Sequence, residues 1–147
     1  VQTCALPIFE MHRDALEQFI ELGDALGAAR TYNNMGYIYR RQKDLKRALE
    51  TCENVEILLE SEKDPSFADA RIKLAASLLE MDELDRAREH AMVAHDETLA
   101  TGNMSLHARA RAVLGRFYAR SGDPELALLH YSEALEQMSA FIHQHIG

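Results

Sequence analysis

Three pairs of small residues, all spaced alike, constrain what this chain can fold into more than any other feature. Gly36 stands twelve residues before Ala48, Ala75 twelve before Ala87 and Gly115 twelve before Ala127, and the pairs follow one another at steps of 39 and then 40 residues. Self-similarity at a fixed period of that size marks an array of repeated supersecondary units. The neighbouring positions recur with the pairs. Met35, Leu74 and Leu114 precede the first small residue, and Tyr39, Leu78 and Tyr118 follow three after it. Cys52, Ala91 and Tyr131 lie four past the second small residue, and Val55, Ala94 and Ala134 lie seven past it.

The stretch from Thr31 to Glu60 shows what one unit contains. Tyr32, Met35, Gly36 and Tyr39 share one helical face, because residues three and four apart are neighbours on a helix. After the polar turn Arg41-Gln42-Lys43-Asp44, a second stripe runs through Leu45, Ala48, Leu49, Cys52, Val55, Leu58 and Leu59. The unit therefore reads as helix, turn, helix. The small residues, one on each stripe, are expected to let the two backbones approach closely.

On these positions the chain resembles the tetratricopeptide-repeat family. NMGYIY and VLGRFY are similar to its Leu-Gly-x-x-Tyr signature, and LKRALETC and LALLHYSEAL to its Ala-x-x-x-aromatic-x-x-Ala signature. The resemblance runs from Arg13 to Met138, and it implies an all-α, right-handed solenoid of antiparallel helix pairs. Two features depart from the family pattern. The aromatic residue early in the first helix survives as Tyr32 but becomes Arg71 and Arg111, and the proline that closes a short repeat is absent. The resemblance is thus to the longer repeat, of about 40 residues, of bacterial regulators.

Boundaries follow from turn chemistry. Residues 1–8, VQTCALPI, carry Pro7, fit neither helical stripe and resemble the translated read-through of a sequencing adapter, so they are set aside as a non-native or disordered leader. Residues 9–23 read as half a repeat, with the stripe Ala15, Phe19 and Leu22 ending at Gly23-Asp24. Repeats are expected over about 24–62, 65–101 and 105–145, as one domain from 9 to 147. Ser66 with Asp69, and Ser105, are the expected caps of the second and third repeats. Neither end of the array carries a solvating cap helix, so both ends read as cut and open to self-association.

Composition narrows the function. A chain of 147 residues with 47% hydrophobic content can bury a core, and no run of eighteen apolar residues suggests a membrane span. A net charge of −8 argues against nucleic-acid binding. Two cysteines, Cys4 and Cys52, suit a reduced, cytoplasmic setting, with Cys52 on a packing stripe. Among His12, His90, His95, His107 and His130 no two are four apart, and His143 and His145 fall on different faces of a helix. They read as surface histidines, with no metal site expected. Nor does any pattern suggest a cofactor or catalysis. The chain reads as a binding module, not an enzyme.

Charge is unevenly shared. In the first helices, Arg30, Arg40, Arg41, Arg71, Lys73, Arg109, Arg111, Arg116 and Arg120 stand against only Asp69 and Glu80, a balance of +7 within a chain of −8. In the family the first helices line the concave surface, so the resemblance implies a basic groove on an acidic body. The face beside each core stripe carries Arg30, Asn33, Tyr37 and Arg40, then Asp69, Ile72, Ala76 and Leu79, then Arg109, Ala112, Arg116 and Ala119. The expected ligand is a protein or peptide with apolar and acidic groups. Ile72, Ala76, Leu79, Ala112 and Ala119 would take its apolar part, and Arg30, Arg40, Arg109 and Arg116 its carboxylates. Asn33 and Tyr37 would hold its backbone. Chaperone tails are not expected, because Asn33, Tyr37 and Val113 replace residues that the family's tail clamps use. The implied role is the sensor or adaptor segment of a larger signalling protein. A regulatory segment of a cyclase or kinase, or a self-associating array, are the alternatives.

Overall fold

The computed structural model describes residues 6–146. Seven α-helices follow in order, α1 (Leu6–Glu21), α2 (Ala25–Arg41), α3 (Leu45–Glu60), α4 (Ala68–Glu80), α5 (Leu84–Thr101), α6 (Met104–Arg120) and α7 (Pro124–Ile146). A 3-10 turn, Pro65–Phe67, precedes α4, and no strand occurs among the described residues. Among the described residues the chain is all-α, as its periodicity predicts. It divides into two compact units, residues 1–63 with α1 to α3 and residues 64–147 with α4 to α7.

Five of the six connections are one device used repeatedly. At the end of α1, Gly23 adopts a left-handed φ of +69°, its N–H bonds the Ile20 carbonyl at 3.1 Å, and the Asp24 N–H bonds the Phe19 carbonyl at 2.8 Å. These are the two bonds of a Schellman closure. The same pair of bonds closes α2 through Lys43 and Asp44, α4 through Asp82 and Glu83, α5 through Gly102 and Asn103, and α6 through Gly122 and Asp123. The second residue of each closure then opens the next helix. The side chains of Asp24, Asp44, Asn103 and Asp123 accept from the backbone N–H three residues on, at 2.8, 3.2, 3.2 and 3.1 Å.

Two caps differ from expectation. Ser105 lies inside α6, whose cap is Asn103, because only a residue before the first turn can reach the free N–H groups. Ser66 caps nothing. It donates its own N–H to Asp64 at 2.9 Å inside the 3-10 turn, and α4 begins without a side-chain cap. The first helix also starts earlier than the half repeat expected from residue 9. Pro7 falls in its first turn, where a missing N–H breaks no helical bond. Of the leader expected over 1–8, residues 1–5, including Cys4, lie outside the described residues.

Lys43 and Asp82 take the left-handed position that glycine fills elsewhere, with φ of 60° and 64°. A side chain there is strained by about 1–2 kcal/mol, part of which glycine returns through its freer unfolded chain. Lys43→Gly is therefore expected to stabilise the first unit by about 0.5–1 kcal/mol, read as a higher denaturation midpoint at unchanged slope. Lys43→Ala should do nothing.

Each unit buries the middle of its expected stripes, whereas Leu22, just past the end of α1, and Leu45, the first residue of α3, are exposed because no neighbouring helix covers those ends. In the first, Ala48, Val55 and Leu59 of α3 are buried, Cys52 is a buried thiol, and Phe9 of α1 packs on Tyr39 of α2 with ring centroids 4.7 Å apart. In the second, Leu74, Ala75 and Leu78 of α4, Ala87, Ala91 and Ala94 of α5, and Leu114 of α6 have no exposed surface. The small residues do more than bring backbones together. A Cβ on Gly36 would lie 2.5 Å from Thr51 Oγ1, and one on Gly115 only 2.7 Å from the Tyr131 ring. Gly115 thus accommodates an aromatic ring that a side chain would displace. In the preceding repeat the equivalent positions are Ala75 and Ala91, both fully buried, so a glycine with a tyrosine has been exchanged for two alanines.

Candidate protein-interaction surface

In the first unit, the outward face of α2 carries Arg30, Asn34, Tyr37 and Arg41, spaced by four, three and four residues and all exposed. Tyr37 is 52% exposed. The guanidinium carbons of Arg40 and Arg41 stand 5.8 and 5.9 Å from its ring centroid, and Arg41 Nη1 donates to the Tyr37 hydroxyl at 3.3 Å. The result is an aromatic platform rimmed by cations. Of the residues expected here, Arg30 and Tyr37 lie on this face and Arg40 is half-buried at its edge. Asn33 is a correction. It is buried, and Asn34, one position round the helix, takes the exposed place.

In the second unit, the arginines of α6 already have internal acceptors. Arg109 pairs with Asp69 of α4, Arg116 pairs with Glu80 of α4, and Arg120 donates to the Leu79 carbonyl. Lys73 also reaches Asp69, at 3.2 Å. Burial alone would raise the Asp69 carboxyl, but hydrogen bonds and charge from Arg109 and Lys73 outweigh it and hold it below its usual value. A ligand carboxylate at Arg109 or Arg116 must displace an internal one.

Ile72 and Leu79 are corrected outright. They were expected to receive a ligand's apolar part, yet they are 3% and 0% exposed. The reason is that α4 packs against both α5 and α6, so that nine of its thirteen residues are buried. A helical wheel shows which residues share a face but not how many neighbours cover it. Ala76 and Ala112 are half-buried and Ala119 is exposed.

The second unit also holds a polar interior that the sequence reading missed by treating its histidines as surface residues. His107 of α6 is fully buried. Arg111 Nε, an obligate donor, bonds His107 Nε2 at 3.2 Å, so that nitrogen carries the lone pair and Nδ1 carries the proton. Nδ1 faces the His95 carbonyl and the Thr98 hydroxyl, each at 3.1 Å, and Thr98 donates onward to the Ala94 carbonyl at 2.7 Å. Burial lowers the imidazole's affinity for a second proton, and the charges of His95 and Arg111 lower it further. Tyr118 stacks on His130 of α7 with centroids 5.3 Å apart, and burial with Arg111 and His95 lowers that imidazole as well. The two arginines in the family's aromatic position are internal too. Arg71 is buried beside Glu97 at 3.4 Å, and Arg111 pairs with Glu133. Both therefore leave the set of arginines facing a groove. A signal was present, since the position normally holds an aromatic that packs inward.

Among the described residues, no group of three or more His, Cys, Asp or Glu side chains could hold a metal ion, and no helix is long and apolar enough to cross a membrane. Among curated proteins none matches the chain. Residues 29–55, from within α2 to within α3, match the family model of the tetratricopeptide repeat, a helical repeat that generally mediates contacts between proteins.

Proposed function

We propose that the chain is a protein- or peptide-binding scaffold, the sensor or adaptor segment of a larger regulatory protein, and that its ligand is received on the outward face of α2. The observation that carries this reading is Tyr37, an aromatic ring half in solvent under two guanidinium groups, within the segment that matches an interaction repeat. A ring and cations at adjacent points suit a ligand with an apolar side chain next to a carboxylate. The ring takes the apolar part at low entropic cost, and the guanidinium forks take the acid. The paired arginines of α6 make the second unit the weaker candidate for acidic groups.

The test is selection of peptides from a random display library on the whole chain. Enriched peptides are expected to carry aspartate or glutamate beside an apolar residue and to bind more weakly as salt rises. The Tyr37→Ala/Arg41→Glu variant should lose at least about tenfold in affinity, some 1.4 kcal/mol, with unchanged helicity. Peptides that bind the variant equally well, or are indifferent to salt, would refute the α2 site.

A further inference from the structure

We infer that the α2 face takes a phosphate monoester, carried by a phosphorylated peptide, at the point where Arg40, Arg41 and the Tyr37 hydroxyl meet. The inference rests on the α2 reading above and names the acid that this site fits best.

The charge on α2 is uncompensated. Its seventeen residues, Ala25–Arg41, include three arginines and no aspartate or glutamate. In the second unit Arg71, Arg109, Arg111 and Arg116 each stand against a carboxylate. No carboxylate among the described residues pairs with Arg30, Arg40 or Arg41. Cations in a last turn complement the helix dipole, but that role does not require them to meet at one side chain. Here both guanidinium carbons stand 5.8 and 5.9 Å from one half-exposed ring.

Three donor groups gather at that ring. The Tyr37 hydroxyl accepts from Arg41 Nη1 at 3.3 Å, which leaves its own proton to donate. Arg40 Nε is buried and bonds to no acceptor among the described residues. A guanidinium does not shed its protons, so this donor is a standing cost. A ligand oxygen that draws the Arg40 fork outward relieves it.

The number of donors selects the acid. A carboxylate offers two oxygens and one charge, which a single fork satisfies. A phosphate monoester offers three terminal oxygens and close to two charges, so it can take both forks and the hydroxyl together. The chain's net charge of −8 disfavours a long polyanion, which points to a single phosphate on a peptide rather than to a nucleic acid. Arg30, seven residues before Tyr37, lies about 10 Å away along the helix, the reach of about three extended residues. It is placed for a carboxylate three positions from the phosphorylated residue.

Peptides with a central phosphoserine in randomised flanks, compared on the whole chain with the same peptides carrying glutamate there, test the site. The best phosphoserine peptides are expected to bind at least about tenfold more tightly than their glutamate forms, and to carry an acid three residues away. Tyr37→Phe keeps the ring and removes the third donor. It should weaken the phosphoserine peptides about threefold and leave the glutamate forms unchanged. Arg40→Lys and Arg41→Lys keep the charge without the fork, and each should lose most of the preference for phosphate, with unchanged circular dichroism. Glutamate forms that bind as tightly as phosphoserine peptides, and are lost in Tyr37→Ala/Arg41→Glu, would overturn the phosphate and leave the α2 site standing. Phosphoserine peptides that bind this double variant equally well, or a chain that binds neither kind, would overturn both. Inorganic phosphate or a terminally phosphorylated oligonucleotide that binds as tightly as the best peptide would overturn the peptide as carrier.

Discussion

Gly115→Leu is expected to destabilise the second unit by about 1–3 kcal/mol, the usual range for forcing extra volume into a packed interior. The clash is specific. Even the first added carbon would stand 2.7 and 2.8 Å from Cε1 and Cδ1 of Tyr131, so the ring must leave before leucine can enter. When it leaves, α6 and α7 lose the contact that the glycine makes room for. Gly115→Ala should therefore already cost something, and Gly115→Ala/Tyr131→Ala should recover part of it, since the preceding repeat buries Ala75 and Ala91 at the equivalent positions. Denaturant midpoints measure the total, and hydrogen exchange should show the loss concentrated in α6 and α7. If Tyr131→Ala brings no relief to Gly115→Ala, the ring is not what the glycine accommodates.

The second large effect is on the buried imidazole. His107→Ala removes a fully buried ring, leaves a cavity and strips Arg111 Nε of its acceptor, an expected loss of about 2–4 kcal/mol at neutral pH. The same geometry sets a pH dependence. A second proton on His107 would have to sit on Nε2, against the Arg111 N–H that now donates to it. Its folded affinity for that proton therefore lies below that of the unfolded chain, as does that of His130. A group shifted down in this way lends stability above the unfolded imidazole value, near 6.5, and the contribution fades as pH falls below it. The second unit should thus weaken between about pH 7 and about pH 5, before carboxylates such as Asp69 begin to protonate. His107→Ala should have a shallower slope over that window. An equal slope in both proteins would place the pH sensitivity elsewhere.

How far the sequence could be read depended on whether a property belongs to one helix or to its neighbours. The twelve-residue pairs, the Gly23-Asp24 and Gly122-Asp123 turns and the Ala48, Cys52 and Val55 stripe are local, and the structure has them where periodicity puts them. Tyr37 and Arg30 are exposed on α2, but Asn33 of the same expected face is buried, so the wheel groups residues without telling which of them stay open. The burial of Ile72 and Leu79 was not legible, since it depends on α4 having two neighbours. Nor were the partners of Arg109 and Arg116, which lie 40 and 36 residues away on α4. His107 was misread for a related reason. A histidine's preference for water can be met inside a protein when an arginine and a carbonyl come from opposite sides, and the carbonyl, that of His95, lies twelve residues back on α5.

The shared closure at five helix ends bears on how the chain finds its fold. A closure that joins α1 to α2 in the same way as α2 to α3 cannot tell a correct hairpin from one shifted by a helix, so each helix can be captured early by the neighbour on either side. The choice between them falls to side-chain shape, for instance Phe19 against Gly27 or Tyr131 against Gly115. Only the stretch between α3 and α4 is built otherwise, on Asp64, Pro65 and a 3-10 turn, and it is there that the two compact units divide. Folding can therefore start at several hairpins at once, and the connection that breaks the pattern leaves each unit to complete its own set of hairpins.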